Sequence, residues 1–229
     1  MKFGGLQKCS TIDFPGMLSC VLFTRGCDLD CFYCHNRELL SLGEVLEEGQ
    51  ILDFLKHRQG LLDGVVISGG EPTLQPELEP FLRKVHEMGY QIKLDTNGQH
   101  PETVMNLWKA NLLDYVAVDC KAAKKQYLPV CKKEDGFTQV LKTITFLIKK
   151  KATYEVRTTL YPGMTIEELL EIFSTLPVVG RWRLNYFKMP LSYLPEDENR
   201  LHQTALTPNE IHAALPRLLA FQPNLLWEP

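Results

Sequence analysis

Nowhere in this chain do roughly 18 apolar residues run unbroken, the length a helix needs to cross a bilayer. The opening, Met1-Lys2-Phe3-Gly4-Gly5, also lacks the basic stretch and apolar core of an export signal. A cytoplasmic protein with no membrane contact is the expectation. An excess of one charge is missing too: 25 Lys and Arg stand against 28 Asp and Glu, a net of -3, which gives no basis for coating nucleic acid. No low-complexity linker and no second class of composition divides the 229 residues. One domain over 1–229 is therefore expected, and at 45% hydrophobic it can bury a sizeable core. Evenly paired cysteines are absent as well. Of seven, Cys27, Cys31 and Cys34 cluster, while Cys9, Cys20, Cys120 and Cys131 are scattered. That distribution does not suit a secreted disulfide scaffold; the cluster reads as metal binding and the others as buried packing.

Strand-like apolar runs alternate with longer amphipathic stretches. Strands are predicted at Leu18–Thr24, Gly64–Ser68, Gln91–Leu94, Tyr115–Asp119, Tyr154–Leu160 and Trp182–Phe187, with helices over 47–58, 76–88, 101–111, 137–150, 165–175 and 207–220. Pro76 and Pro101 suit a first turn, Thr165 and Thr207 an N-cap, and Gly60 and Gly89 a stop. Six β-α repeats imply a parallel sheet with helices outside. A complete eight-unit barrel takes about 250 residues, so the expected fold class is α/β, a partial open (β/α)6 TIM-like barrel, with a doubly wound sheet as the alternative. The segment 189–206, rich in Pro, Glu and Asn, reads as a mobile loop.

Both architectures gather ligand sites at the carboxyl ends of strands. Polar or glycine-rich clusters stand at four of those ends: Arg25-Gly26-Cys27, Gly69-Gly70-Glu71-Pro72, Asp95-Thr96-Asn97-Gly98 and Asp119-Cys120-Lys121.

Cys27-x3-Cys31-x2-Cys34 places three thiols within eight residues. Three thiolates can hold three irons of a four-iron cluster and leave the fourth open to chelate a substrate, whereas structural clusters and structural zinc take four protein ligands. Zinc with His35 or a distant cysteine as fourth ligand is the competing reading. No second close cysteine pair accompanies the first, and His35 adjoins Cys34 awkwardly for one ion.

The motif, with Tyr33 just before its third cysteine, resembles the signature of the radical S-adenosylmethionine (SAM) superfamily. That resemblance implies the radical SAM fold, a [4Fe–4S] cluster on Cys27, Cys31 and Cys34, and reductive cleavage of SAM to a 5′-deoxyadenosyl radical. Gly69, Gly70 and Glu71 match the family's cofactor motif, where backbone carbonyls accept from the methionine ammonium. Asp95, Thr96, Asp119 and Lys121 resemble strand-end residues that serve the cofactor and a monovalent cation in glycyl-radical-enzyme activases. Arg157 resembles a cofactor-contacting arginine of that group. Capping by the aspartates, and simple ion pairing by the arginine, are the plainer alternatives.

The opening stretch, Gly4-Gly5-Leu6-Gln7-Lys8 through Ser10-Thr11-Ile12-Asp13-Phe14-Pro15-Gly16, is similar to activating proteins of anaerobic ribonucleoside-triphosphate reductase. Cys34-His35-Asn36 is shared with pyruvate formate-lyase activases. Membership implies a large glycyl radical enzyme as partner and reduced flavodoxin or ferredoxin as electron donor. A lyase-type partner or a small-molecule substrate are the alternatives. Lysines 121, 124, 125, 132 and 133, with 149–151, read as a solvated helix face or a docking surface for an acidic partner.

Overall fold

Ser19-Cys20-Val21-Leu22-Phe23-Thr24 and Gly64-Val65-Val66-Ile67-Ser68-Gly69 are apolar along nearly their whole length, the pattern of strands buried on both faces. In the computed structural model, which describes residues 1–41 and 43–227, they form neighbouring parallel strands with Thr24 opposite Gly69. The chain divides into two compact units: Met1–Asp28, Glu38–Thr96 and His100–Ala117 in the first, and Leu29–Arg37, Asn97–Gln99 and Val118–Pro229 in the second.

The first unit holds β1 (Phe3–Ser10), β2 (Ser19–Thr24), α1 (Glu48–Arg58), β3 (Gly64–Gly69), α2 (Leu78–Glu87), β4 (Gln91–Thr96) and α3 (Pro101–Lys109). β2, β3 and β4 run parallel in chain order, and β1 joins β2 antiparallel. β5 (Tyr115–Asp119) begins in this unit and ends in the second. On α2, Leu78, Phe81, Leu82 and Val85 recur on one face and are buried. Phe14, Val21, Val66 and Tyr115 form a further buried cluster.

The second unit continues with α4 (Tyr127–Cys131), α5 (Gly136–Lys149), β6 (Tyr154–Leu160), α6 (Ile166–Thr175), β7 (Trp182–Tyr186), α7 (Glu198–Leu201), α8 (Pro208–Phe221) and β8 (Leu225–Leu226). β6, β7 and β8 are parallel. Thr165 and Thr207 cap α6 and α8, each in a capping box with the glutamate three residues on. Trp182 is fully buried against Phe173, ring centroids 4.4 Å apart, and its indole N–H donates to Thr158.

All six predicted strands are present, and five of the six helices start within a residue of the expected position. The exception is α2, which begins at Leu78 rather than 76 because Pro72–Leu74 first makes a 3-10 turn. β1, β8, α4 and α7 were not anticipated; α7 and a 3-10 turn at Pro195–Asp197 lie within the segment read as a loop. Gly4 in β1 packs closely, since a Cβ there would meet the end of the Leu39 side chain at 2.5 Å and displace it. Cys20, Cys120 and Cys131 are buried as expected, but Cys9 is exposed. Burial pushes the Cys20 and Cys120 thiols up to about 12, which suits inert packing. Among the described residues no helix is long and apolar enough to cross a membrane.

Candidate active site

The first unit brings two backbone turns into contact. Gly69 closes β3 at φ +114°, a conformation open to glycine alone in practice. A Cβ on Gly69 would lie 2.3 Å from the Thr24 nitrogen, and one on Gly70 2.1 Å from the Gly26 carbonyl oxygen. Hydrogen bonds bind the turns at the same point: Gly70 N–H donates to Thr24 (2.9 Å) and Glu71 N–H to Gly26 (2.8 Å). The Gly-Gly turn therefore sets the position of the backbone just before Cys27.

Glu71 has no exposed surface, and a buried carboxylate must be satisfied. Its Oε1 accepts from the Thr73 N–H (3.1 Å), the Thr73 hydroxyl (2.5 Å) and the Thr96 hydroxyl (2.8 Å). The ends of β3 and β4 are tied together by one side chain. Asp95 leans on the same face as Lys93, two residues back along the strand, and pairs with its ammonium at 2.5 Å. Arg25, whose role sequence spacing does not disclose, donates to the carbonyls of Glu38, Ser41 and Glu44. Gln75 in turn donates to the Arg25 carbonyl at 2.7 Å.

In the second unit the segment Leu29–Arg37 lies on α4. Asp30 N–H donates to Cys131 (3.0 Å) and Phe32 N–H to Val130 (3.2 Å). The neighbouring Cys131 thiol, followed by burial, raises Cys31 well above the usual thiol range; burial raises Cys34. The Lys121 charge acts in the opposite sense on both, favouring thiolate. Tyr33 stacks on Tyr161 with centroids 5.3 Å apart and rings 18° from parallel, and its hydroxyl donates to the Lys121 carbonyl.

Asp119, Lys121 and Arg157 form a single charged group. Lys121 Nζ and Arg157 Nε each lie 2.8 Å from a different Asp119 oxygen. Burial alone would raise Asp119, but the charges of Arg157 and Lys121 outweigh it and hold the carboxyl well below the usual range. Burial would lower Lys121, and the Asp119 charge outweighs that in turn. A depressed carboxyl contributes stability above its unfolded value, near pH 4, and loses it as pH falls toward the folded value. Asp119→Asn removes the shared anion of a partly buried group, so it is expected to cost about 1–3 kcal/mol, the range for a hydrogen-bonded charged group that loses its partner. Thermal melting at pH 7 reads this as a drop of roughly 2–12 °C for a chain this long. The deficit should shrink when both proteins are melted at low pH. Sequence reading also missed Gln99, which is buried, donates to the Gly136 carbonyl, and keeps an Oε1 with no hydrogen-bond partner.

Cys27, Gly69, Gly70, Glu71, Asp95 and Thr96 thus belong to the first unit, and Cys31, Cys34, Asp119, Lys121 and Arg157 to the second. Glu71 and Thr96 meet directly, as do Asp119, Lys121 and Arg157. Asp95 and Asp119 each already hold a cationic side chain, so neither needs a metal cation to neutralise it. Among the described residues no three His, Cys, Asp or Glu side chains converge on a point that one metal ion could fill.

The radical SAM superfamily model matches residues 21–176. The chain belongs to this superfamily. Over 176 residues it is 40% identical to a Methanocaldococcus jannaschii protein named glycyl-radical enzyme activating enzyme, a match covering 73% of this chain and 71% of that one. It is therefore a radical SAM enzyme of the activating-enzyme group. A pyruvate formate-lyase-activating enzyme of Staphylococcus aureus is 37% identical over 101 residues, 41% of this chain and 40% of the relative. Among solved structures, Streptococcus suis SuiB bound to S-adenosylmethionine aligns with a TM-score of 0.65 at 14% identity, over 91% of this chain and 52% of SuiB. The structure of anSMEcpe with bound AdoMet aligns with a TM-score of 0.63 at 18% identity, over 86% and 57%. The α/β fold anticipated as a partial open (β/α)6 barrel is thus the radical SAM fold. Superfamily membership carries with it a [4Fe–4S] cluster and SAM as cofactors.

Proposed function

We propose that residues 1–229 form one radical SAM domain that activates a glycyl radical enzyme, with anaerobic ribonucleoside-triphosphate reductase as its partner. The match to an activating enzyme over nearly three-quarters of the chain carries the activase reading. The Asp13-Phe14-Pro15-Gly16 opening favours the reductase. A pyruvate formate-lyase-type partner is the second reading, favoured by the Staphylococcus aureus relative.

The residues fit the cofactors. Cys27, Cys31 and Cys34 are engaged in no disulfide, and thiolates are the ligands that iron–sulfur clusters take. Cys27, Cys31 and Cys34 would hold the cluster, and its binding would release their protons. Gly69 and Gly70 would offer backbone carbonyls to the methionyl ammonium, with Glu71 as a positioning residue that locks the turn through Thr73 and Thr96. In the first unit Asp95 and Thr96, and in the second the group Asp119, Lys121 and Arg157 with one net positive charge, would serve the cofactor. We assign no step to a monovalent cation. When bound, the cluster and SAM supply a 5′-deoxyadenosyl radical; the protein's part is to orient them and keep water away. That chemistry would be directed at a glycine Cα of the partner.

Anaerobic electron paramagnetic resonance tests this on the reduced, reconstituted protein with SAM and the reductase of its own organism. A glycyl radical signal is the expected result. Release of 5′-deoxyadenosine without that signal would reject the reductase and turn the test to lyase-type enzymes and small molecules.

A further inference from the structure

The short helix α4, against which the cysteine segment packs, lies in a lysine-rich stretch. Between 121 and 133 the chain holds five lysines and no carboxylate, although the whole protein carries a net charge of -3; Glu134 and Asp135 follow. Lys124, Lys125 and Lys132 are exposed around α4. In their midst Leu128 is 49% exposed and Pro129 is exposed beside it. Arg200 adds a fourth cation, donating to the Pro129 carbonyl at 3.0 Å.

A solvated helix face would explain lysines alone. It does not explain what lies beneath them. The inner side of α4 receives the backbone N–H groups of Asp30 and Phe32 and buries Cys131 against the Cys31 thiol. The Arg200 guanidinium lies 3.8 Å from the centroid of the Phe32 ring, one residue from Cys31. One short helix therefore separates exposed Leu128 from the thiol of a proposed cluster ligand.

We propose that Leu128 and Pro129, ringed by Lys124, Lys125, Lys132 and Arg200, form the docking surface for an acidic one-electron donor protein. This rests on the cluster assignment above. A small apolar contact within a cationic ring suits a brief encounter, in which charge speeds association and little buried area keeps release fast. The step is a single electron passing from the reduced donor to the oxidised cluster, with no bond made or broken.

The test uses the full reconstituted protein and reduced flavodoxin as the acidic donor, with cluster bleaching followed by stopped-flow absorbance. Lys124→Glu/Lys125→Glu/Lys132→Glu should slow reduction by flavodoxin at least about tenfold at low salt, the scale of electrostatic steering. Added salt should slow the wild type and leave the variant nearly unchanged. Reduction by dithionite, a small inorganic donor, should proceed at equal rates in both, which also shows that the variant is folded. Single Lys→Gln changes at the same positions should each give a smaller slowing in the same direction. Wild-type rates with flavodoxin in the variants would overturn the proposal and leave the surface to the glycyl radical partner or to solvent. A wild type that takes no electron from dithionite would overturn the cluster assignment instead.

Discussion

Cys31→Ala should abolish SAM cleavage, lowering 5′-deoxyadenosine release by at least about 10³-fold, the scale lost when one member of a catalytic unit is removed. The reason is coordination rather than folding. Cys31 is buried, and losing one sulfur from a packed site costs only about 1 kcal/mol. A melting curve close to wild type should therefore accompany the loss. The informative companion is Cys131→Ala. Cys131 touches Cys31, so the fold offers a neighbouring thiol that could have been the true ligand. Cleavage should survive that change under the proposal that Cys27, Cys31 and Cys34 hold the cluster. Chromatography of the cleavage product decides between them. Retained cleavage in Cys31→Ala, with loss in Cys131→Ala, would move the ligand from the motif to α4.

The second large effect belongs to Gly70→Ala. Its Cβ would stand 2.1 Å from the Gly26 carbonyl oxygen, well inside contact distance and against backbone rather than a side chain that can swing away. Neither strand end can retreat alone, because Gly70 N–H is bound to Thr24 and Glu71 N–H to Gly26. Relief requires breaking those bonds and shifting Gly26, which immediately precedes Cys27. Overpacking typically costs about 1–3 kcal/mol, and the lost backbone bonds add to it. The variant should melt lower and retain much less iron after reconstitution than wild type. Iron analysis beside thermal melting is the check, and wild-type values in both would show that the two turns are not in obligatory contact. Gly69→Ala should be at least as severe, since it adds strain at φ +114° to a 2.3 Å contact with Thr24.

How far the sequence carries can be seen strand by strand. β5 and β6 occupy the residues that periodicity and turn signals indicate, because Tyr115–Val118 is a short apolar run ended by Asp119 and Tyr154–Leu160 is rich in the β-branched and aromatic residues that strands favour. β1 escaped notice for a physical reason. Its glycines and its exposed Gln7, Lys8 and Cys9 carry no strand pattern, and its stability comes from pairing with β2. β8, two residues long, owes its existence to β7 in the same way. The cap of α6 was legible from Thr165 and Glu168 three residues later, whereas α2 started late because a 3-10 turn consumed the expected first turn.

The same division runs through the site. Sequence by itself determined the family, the cysteine spacing and the strand ends at which polar residues gather, because each of these is written in a few consecutive residues. Only the tertiary structure decided what those residues do to one another. Glu71 becomes a buried brace on Thr96 across 25 positions, and Asp119 becomes the shared anion of Lys121 and of Arg157 across 38. Cys131, unremarkable as a scattered cysteine, comes to rest beside Cys31, and the lysine-rich stretch around it packs on the cysteine segment. Spacing along a chain reports local geometry; which distant charges and thiols come into contact is settled by packing, where an unpaired charge is costly.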